Sequence, residues 1–173
     1  MDAKDLDPAQ PGAYALVALY SSVKGDKEST IKYLDMGLAL EDIPTETRIA
    51  LLVSAGQSVV RLGEFDKGLE YYEEALSINP DEPTALKSLG ALYLARDDFD
   101  SALKNLDLAI EKTDDDKELV DLFFNRGLVY LKMEDFEEAE YNFEEAYFLA
   151  PDDVEALLGL SLIHISEPTR LRR

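Results

Sequence analysis

The chain has no cysteine, no tryptophan and a single histidine, His164. Without cysteine there are no disulfides, no zinc–thiolate sites and no thiol catalysis. Seven prolines and nine glycines among 173 residues are too few for a fibrous or low-complexity chain. The longest uncharged run, Pro8–Val23, contains Pro, Gly, Gln and Ser and cannot span a bilayer. Positive charge is also scarce: 17 Lys+Arg face 37 Asp+Glu, a net charge of −20. That balance argues against nucleic acid, which is held by phosphate neutralisation, and against anionic membrane surfaces. The first residues, Met1-Asp-Ala-Lys-Asp, are acidic and unlike a signal-peptide n-region, so the expected location is cytoplasmic.

What the chain does have is a period. Gly56, Gly90 and Gly127 are separated by 34 and 37 residues, and so are Phe65, Phe99 and Phe136, and Ala75, Ala109 and Ala146. Independent markers thus share one repeat length and one three-residue insertion, expected in the acidic link Thr113–Lys117 between helices. Within a unit the apolar residues follow helical spacing. Leu86, Leu89, Gly90 and Tyr93 fall on one face of a first helix. Asp97 and Asp98 interrupt the pattern and can cap a second helix carrying Phe99, Ala102, Leu106 and Ala109. A single hairpin is too small to bury its own apolar face, so the units are expected to stack.

These marks resemble the tetratricopeptide repeat family, whose 34-residue unit has small residues at positions 8, 20 and 27 and large ones at 4, 11 and 24. The unit Ile49–Glu82 supplies Leu52, Ala55, Gly56, Val59, Gly68, Tyr72, Ala75 and Pro80. The unit Pro83–Asp116 supplies Leu86, Leu89, Gly90, Tyr93, Ala102, Leu106 and Ala109. The unit Val120–Asp153 supplies Phe123, Gly127, Tyr130, Ala139, Phe143, Ala146 and Pro151, with Arg126 departing from the leucine of position 7. Residues 11–44 read as a degenerate unit in which Ser21 and Thr30 fit poorly, and Thr45–Arg48 follow outside the register. Residues 1–10 read as the remnant of a preceding unit, and 154–160 as the truncated first helix of a further one. The fold class implied is all-α, a right-handed superhelical solenoid of stacked helix-turn-helix hairpins.

Ser161–Arg170 reads SLIHISEPTR, which resembles a translated sequencing adaptor. Residues 161–173 are therefore expected to be a non-native tail, His164 carries no functional weight, and the natural protein is expected to continue past Leu160.

The resemblance implies a concave groove lined by the first helices. Here it would contain Val53, Gln57, Val60 and Arg61, then Lys87, Ala91 and Leu94, then Phe124, Leu128, Leu131 and Lys132. Ala50, Thr84, Ala95 and Asp121 fall at groove positions too, and the degenerate unit offers Ala15, Leu19 and Val23. The strip is mostly apolar with basic points, which suits a peptide or an amphipathic helix. The alternative is that flanking helices pack over it. The two-carboxylate clamp by which some family members hold chaperone C-termini is not expected, because Ala91 stands where that clamp needs Asn, although Lys87 and Asn125 match. Asp114–Asp116, Glu137-Glu138, Glu144-Glu145 and Asp152-Asp153 lack the alternating acid-and-glycine loop of a calcium site, so no metal or cofactor is expected. No nucleophile–base set can be assembled. The expectation is a non-catalytic protein-interaction scaffold. The alternatives are the interaction region of a larger enzyme or signalling protein, and a region for self-association.

Overall fold

The computed structural model describes residues 11–166, with side chains up to Ile163. The expected N-terminal remnant, the side chain of His164 and the end of the expected adaptor-derived tail lie outside the described residues. Among the described residues the structure is entirely helical, and the fold class is all-α: α1 (Pro11–Val23), α2 (Lys27–Leu38), α3 (Thr45–Arg61), α4 (Phe65–Ile78), α5 (Pro83–Ala95), α6 (Phe99–Lys112), α7 (Asp116–Lys132), α8 (Phe136–Leu149) and α9 (Val154–Ser166). The chain divides into two compact units, the division falling between Ser88 and Leu89 within α5. In the first unit α2 packs on α1, and α1, α2 and α4 all pack on α3. In the second, α6, α8 and α9 pack on α7, and α9 also on α8.

Each hairpin turns in the same way. Residue 15 of the register is left-handed in all four: Gly25 at φ 75°, Gly63 at 81°, Asp97 at 57° and Glu134 at 61°. The following N–H then reaches back to the carbonyl of residue 11: Asp26 to Ser21 (2.9 Å), Glu64 to Val59 (2.9 Å), Asp98 to Tyr93 (3.0 Å) and Asp135 to Tyr130 (2.9 Å). This is the glycine-type helix stop, which satisfies the orphan carbonyls of the first helix. The second helix opens at once, because Asp26, Asp98 and Asp135 each accept a backbone N–H three residues on. Asp98 thus caps α6 as its position in the sequence predicts.

The helices of a hairpin meet where a small residue faces a large one. A Cβ on Gly56 would run into the Tyr72 ring, one on Gly90 would lie 2.6 Å from Leu106 Cγ, and one on Gly127 would lie 2.5 Å from Phe143 Cε1. These are positions 8 and 24 of each register. The degenerate first unit keeps the same device. Thr30 occupies the small position 20 without exposure and its Oγ1 donates to Asp26 O at 2.7 Å, while a Cβ on Gly37 would come within 3.0 Å of Tyr14 Cβ.

The helix bounds bear on two sequence expectations. The extra residues do not lengthen the links. α3 and α7 have 17 residues against 13 in α1, α5 and α9, so Thr45–Arg48 become the first turn of α3, while the link before α7 is only Thr113–Asp115. The residues set aside as a tail begin in helix: Ser161–Ser166 continue α9, and Ile163 is buried against Ala139 and Phe143. Ile163 falls at position 10 of its register, where Ser58, Leu92 and Val129 are also buried.

Candidate functional site

An open cleft of about 410 Å³ lies along α3. Its lining combines Ile49, Ala50, Val53, Ser54 and Gln57 from one face of α3 with Glu46 from the added first turn. Asn79 and Glu82, from the link after α4, and Thr84 at the start of α5 complete it. Spacings of three and four residues put Glu46, Ile49, Ala50, Val53 and Gln57 on a common helical stripe. Ile49 and Val53 are buried and form the apolar floor, whereas Ala50 and Gln57 are exposed. Asn79 is held in place by its Oδ1, which accepts the Asp81 N–H at 3.2 Å. The volume lies in the range of about 300–1,000 Å³ usual for ligand clefts.

The expected groove residues therefore separate into three groups. Val53 and Gln57 share the cleft. Val60 is half-buried and packs inside its own hairpin, since a Cβ on Gly68 would strike its Cγ2, and Arg61 is exposed at the end of α3. On α5, Lys87 and Leu94 are half-buried and Ala91 is exposed. On α7 the strip is packed: Phe124, Leu128 and Leu131 lie against Ala139, Phe143 and Ile163, joined by Leu160 from α9. Phe124 and Phe143 stand 5.8 Å apart at 47°, a tilted aromatic pair. Lys132 is exposed at the end of α7. In the second unit these three strip residues are thus half-buried against α8 and α9.

Three features escaped the sequence. Glu46, Asn79 and Glu82 line the cleft from outside the groove positions of the repeat. Leu16, Leu19, Tyr20 and Val23 form an exposed stripe on α1, between 39% and 66% accessible, of which only Leu19 and Val23 fall at groove positions. Arg126, out of pattern as a sequence, is a structural residue. Its Nε donates to Asn142 Oδ1 at 2.6 Å, its Nη1 to Asp107 Oδ1 at 2.7 Å, and its guanidinium lies 5.3 Å from the centre of the Phe123 ring. Asn142, fully buried, also donates to Glu138 O, so both ends of its amide are satisfied.

Burial pushes the Tyr72 and Tyr130 phenols up, with Asp107 adding to the effect on Tyr130. Burial, then the carboxylates of Asp35, Glu74 and Glu70, push Tyr71 up to about 12. The hydrogen bonds from Ser29 hold the Asp26 carboxyl below the usual range. All four shifts move away from neutral pH. Among the described residues no acidic, thiol or imidazole groups gather as a metal site, and no helix is long and apolar enough to cross a membrane.

Two family models, both described as tetratricopeptide repeat, match residues 60–122 and residues 120–153. A TPR repeat-containing protein, YpiA of Bacillus subtilis, is 26% identical over 152 residues, covering 88% of this chain and 34% of its own length. The chain spans about a third or less of the curated relatives it matches. Among solved structures, BtubC from P. vanneervenii aligns at a TM-score of 0.81 with 16% identity, over 93% of this chain and 74% of that one. YrrB, described as a TPR protein with an unusual peptide-binding site, aligns at 0.68 with 22% identity, over 90% of this chain and 76% of that one. At such identities these likenesses speak for the fold. The hairpin register, the small-against-large contacts within each hairpin and the two matched segments together place the chain in the tetratricopeptide repeat family.

Proposed function

We propose that the chain is a non-catalytic protein-interaction scaffold that holds an extended peptide or one face of an amphipathic helix in the α3 cleft. The observation that carries this reading is the cleft itself, a preformed concavity with an apolar floor at Ile49 and Val53 and polar groups around it. Such a surface gives affinity through apolar anchors and orientation through amide hydrogen bonds. YrrB's described peptide-binding site lends support from a protein of the same fold. The strongly acidic, cysteine-free composition suits a cytoplasmic setting. The test is panning of a random dodecapeptide display library on the whole chain, beside an Ala50→Trp variant that fills the cleft from an exposed position. Wild-type protein should enrich a peptide family that the variant does not retain, with the melting temperature unchanged. No enrichment on wild type, or the same family on both proteins, would refute the reading.

A second reading has its own observation. The chain spans only 34% of the YpiA length. The repeats would then serve as the interaction region of a longer protein, with the cleft performing the same task for whatever that protein does.

A further inference from the structure

The cleft is apolar in its floor but acidic in its polar lining. Glu46 and Glu82 are its only ionisable lining residues, and both are carboxylates. Each leaves its side chain without a hydrogen bond or ion pair among the described residues, as does Gln57. The nearest cation in sequence does not compensate. Arg48, on the same turn as Glu46, directs Nη1 to the Leu38 carbonyl at 3.5 Å. The basic points expected of the groove, Arg61, Lys87 and Lys132, are absent from the lining.

We infer that the occupant of this cleft is a basic peptide segment, a small aliphatic anchor flanked by lysine or arginine. This rests on the reading of the cleft as a peptide site and specifies its ligand. The aliphatic side chain would lie on Ile49 and Val53, beside the small Ala50. A flanking ammonium or guanidinium would pair with the exposed Glu46 or the half-buried Glu82 in a charge-assisted contact. The Gln57 amide, with one donor group and one acceptor, matches the peptide backbone of an extended segment. The net charge of −20 adds a long-range field that draws cations and repels acidic segments, so selection begins before contact. Glu46 owes its place to the added turn of α3. The same four residues that fall outside the repeat register thus supply half of the cleft's charge.

The experiment is the same library panned in parallel on wild type and on the double variant Glu46→Gln, Glu82→Gln, with the affinity of the leading wild-type peptide measured by fluorescence anisotropy at low and high salt. Wild type should enrich an aliphatic residue next to Lys or Arg. The double variant should bind that peptide about tenfold more weakly at low salt, and the gap should narrow at high salt. Enrichment of an apolar motif without basic residues, or equal affinity for both proteins, overturns this inference and leaves the apolar-cleft reading standing. No enrichment on wild type overturns both. Circular dichroism of the double variant separates a charge effect from a folding defect. If that variant is unfolded, the single variants Glu46→Gln and Glu82→Gln, each expected to weaken binding about threefold, decide the matter.

Discussion

α3 and α7 are the same helix twice. Both have 17 residues, both carry an added first turn, and both place a glycine at position 8 against an aromatic ring of the following helix. Their positions 5 and 9 nevertheless do opposite things. On α3 these are Val53 and Gln57, and they line an open cleft. On α7 they are Phe124 and Leu128, and they are packed against Phe143 and Ile163. The register decides where a side chain points. Its size and polarity decide whether that place is left open or becomes a piece of core. A short aliphatic and an amide leave room that a phenyl ring and a leucine take up.

The largest effect should come from the part the two helices share. Gly127→Leu would drive its side chain into Phe143, and we expect a loss of about 3 kcal/mol in urea unfolding through overpacking. Gly56→Leu should do the same against Tyr72. A markedly smaller loss in one of them would show that the two hairpins are not built alike. A smaller effect should come from the part they do not share. Phe124→Ala removes a half-buried ring from the packed strip and should lose about 2 kcal/mol. Val53→Ala, on the open cleft, should lose less than half of that. Equal losses would mean that the cleft floor and the packed strip are the same kind of surface.

The smallest effect distinguishes position 23, where α4 has Tyr71 and α8 has Asn142. Tyr71 has an ordinary value of 10.0 and is pushed up to about 12 in the fold, first by burial. The unfolded chain therefore releases this proton before the folded one. The stabilisation from neutral Tyr71 is complete below pH 10 and is lost as pH rises toward 12. Denaturation midpoints recorded over that window should fall, and Tyr71→Phe should flatten the fall more than Tyr130→Phe does. The reverse ranking would place the more strongly shifted phenol in the wrong unit.

Much of this was legible in the residues. The spacing of Gly56, Gly90 and Gly127 locates the close helix contacts, and Tyr72, Leu106 and Phe143 are their partners by register alone. Asp98 announces its own capping bond. These features are legible because each depends on residues a fixed distance apart within one unit. Arg126 was not, since a guanidinium at an apolar position gains its meaning from Asn142 and Asp107, 16 and 19 residues away. The cleft was half legible. Val53 and Gln57 follow from the register, but Glu46 lies ahead of its unit, and Asn79 and Glu82 come from a link. The packing of Phe124 also depends on Leu160 and Ile163, the second of them in a segment whose composition breaks from the repeat.

The lengthened first helices of α3 and α7 bear on how such an array can change in size. An α-helix closes a turn every 3.6 residues, so three or four extra residues bring the helix round to within about 60° of the angle it left, about 4.5–6 Å further along its axis. The inserted segment extends each face with a modest rotation of about 40–60°, so most of the stripe keeps its side of the helix. Insertions of one, two or five residues would swing the apolar stripe by a large part of a circle. The repeat can therefore lengthen by about a turn at a time, and each added turn offers one fresh place on the face of the first helix. On α3 that place holds Glu46.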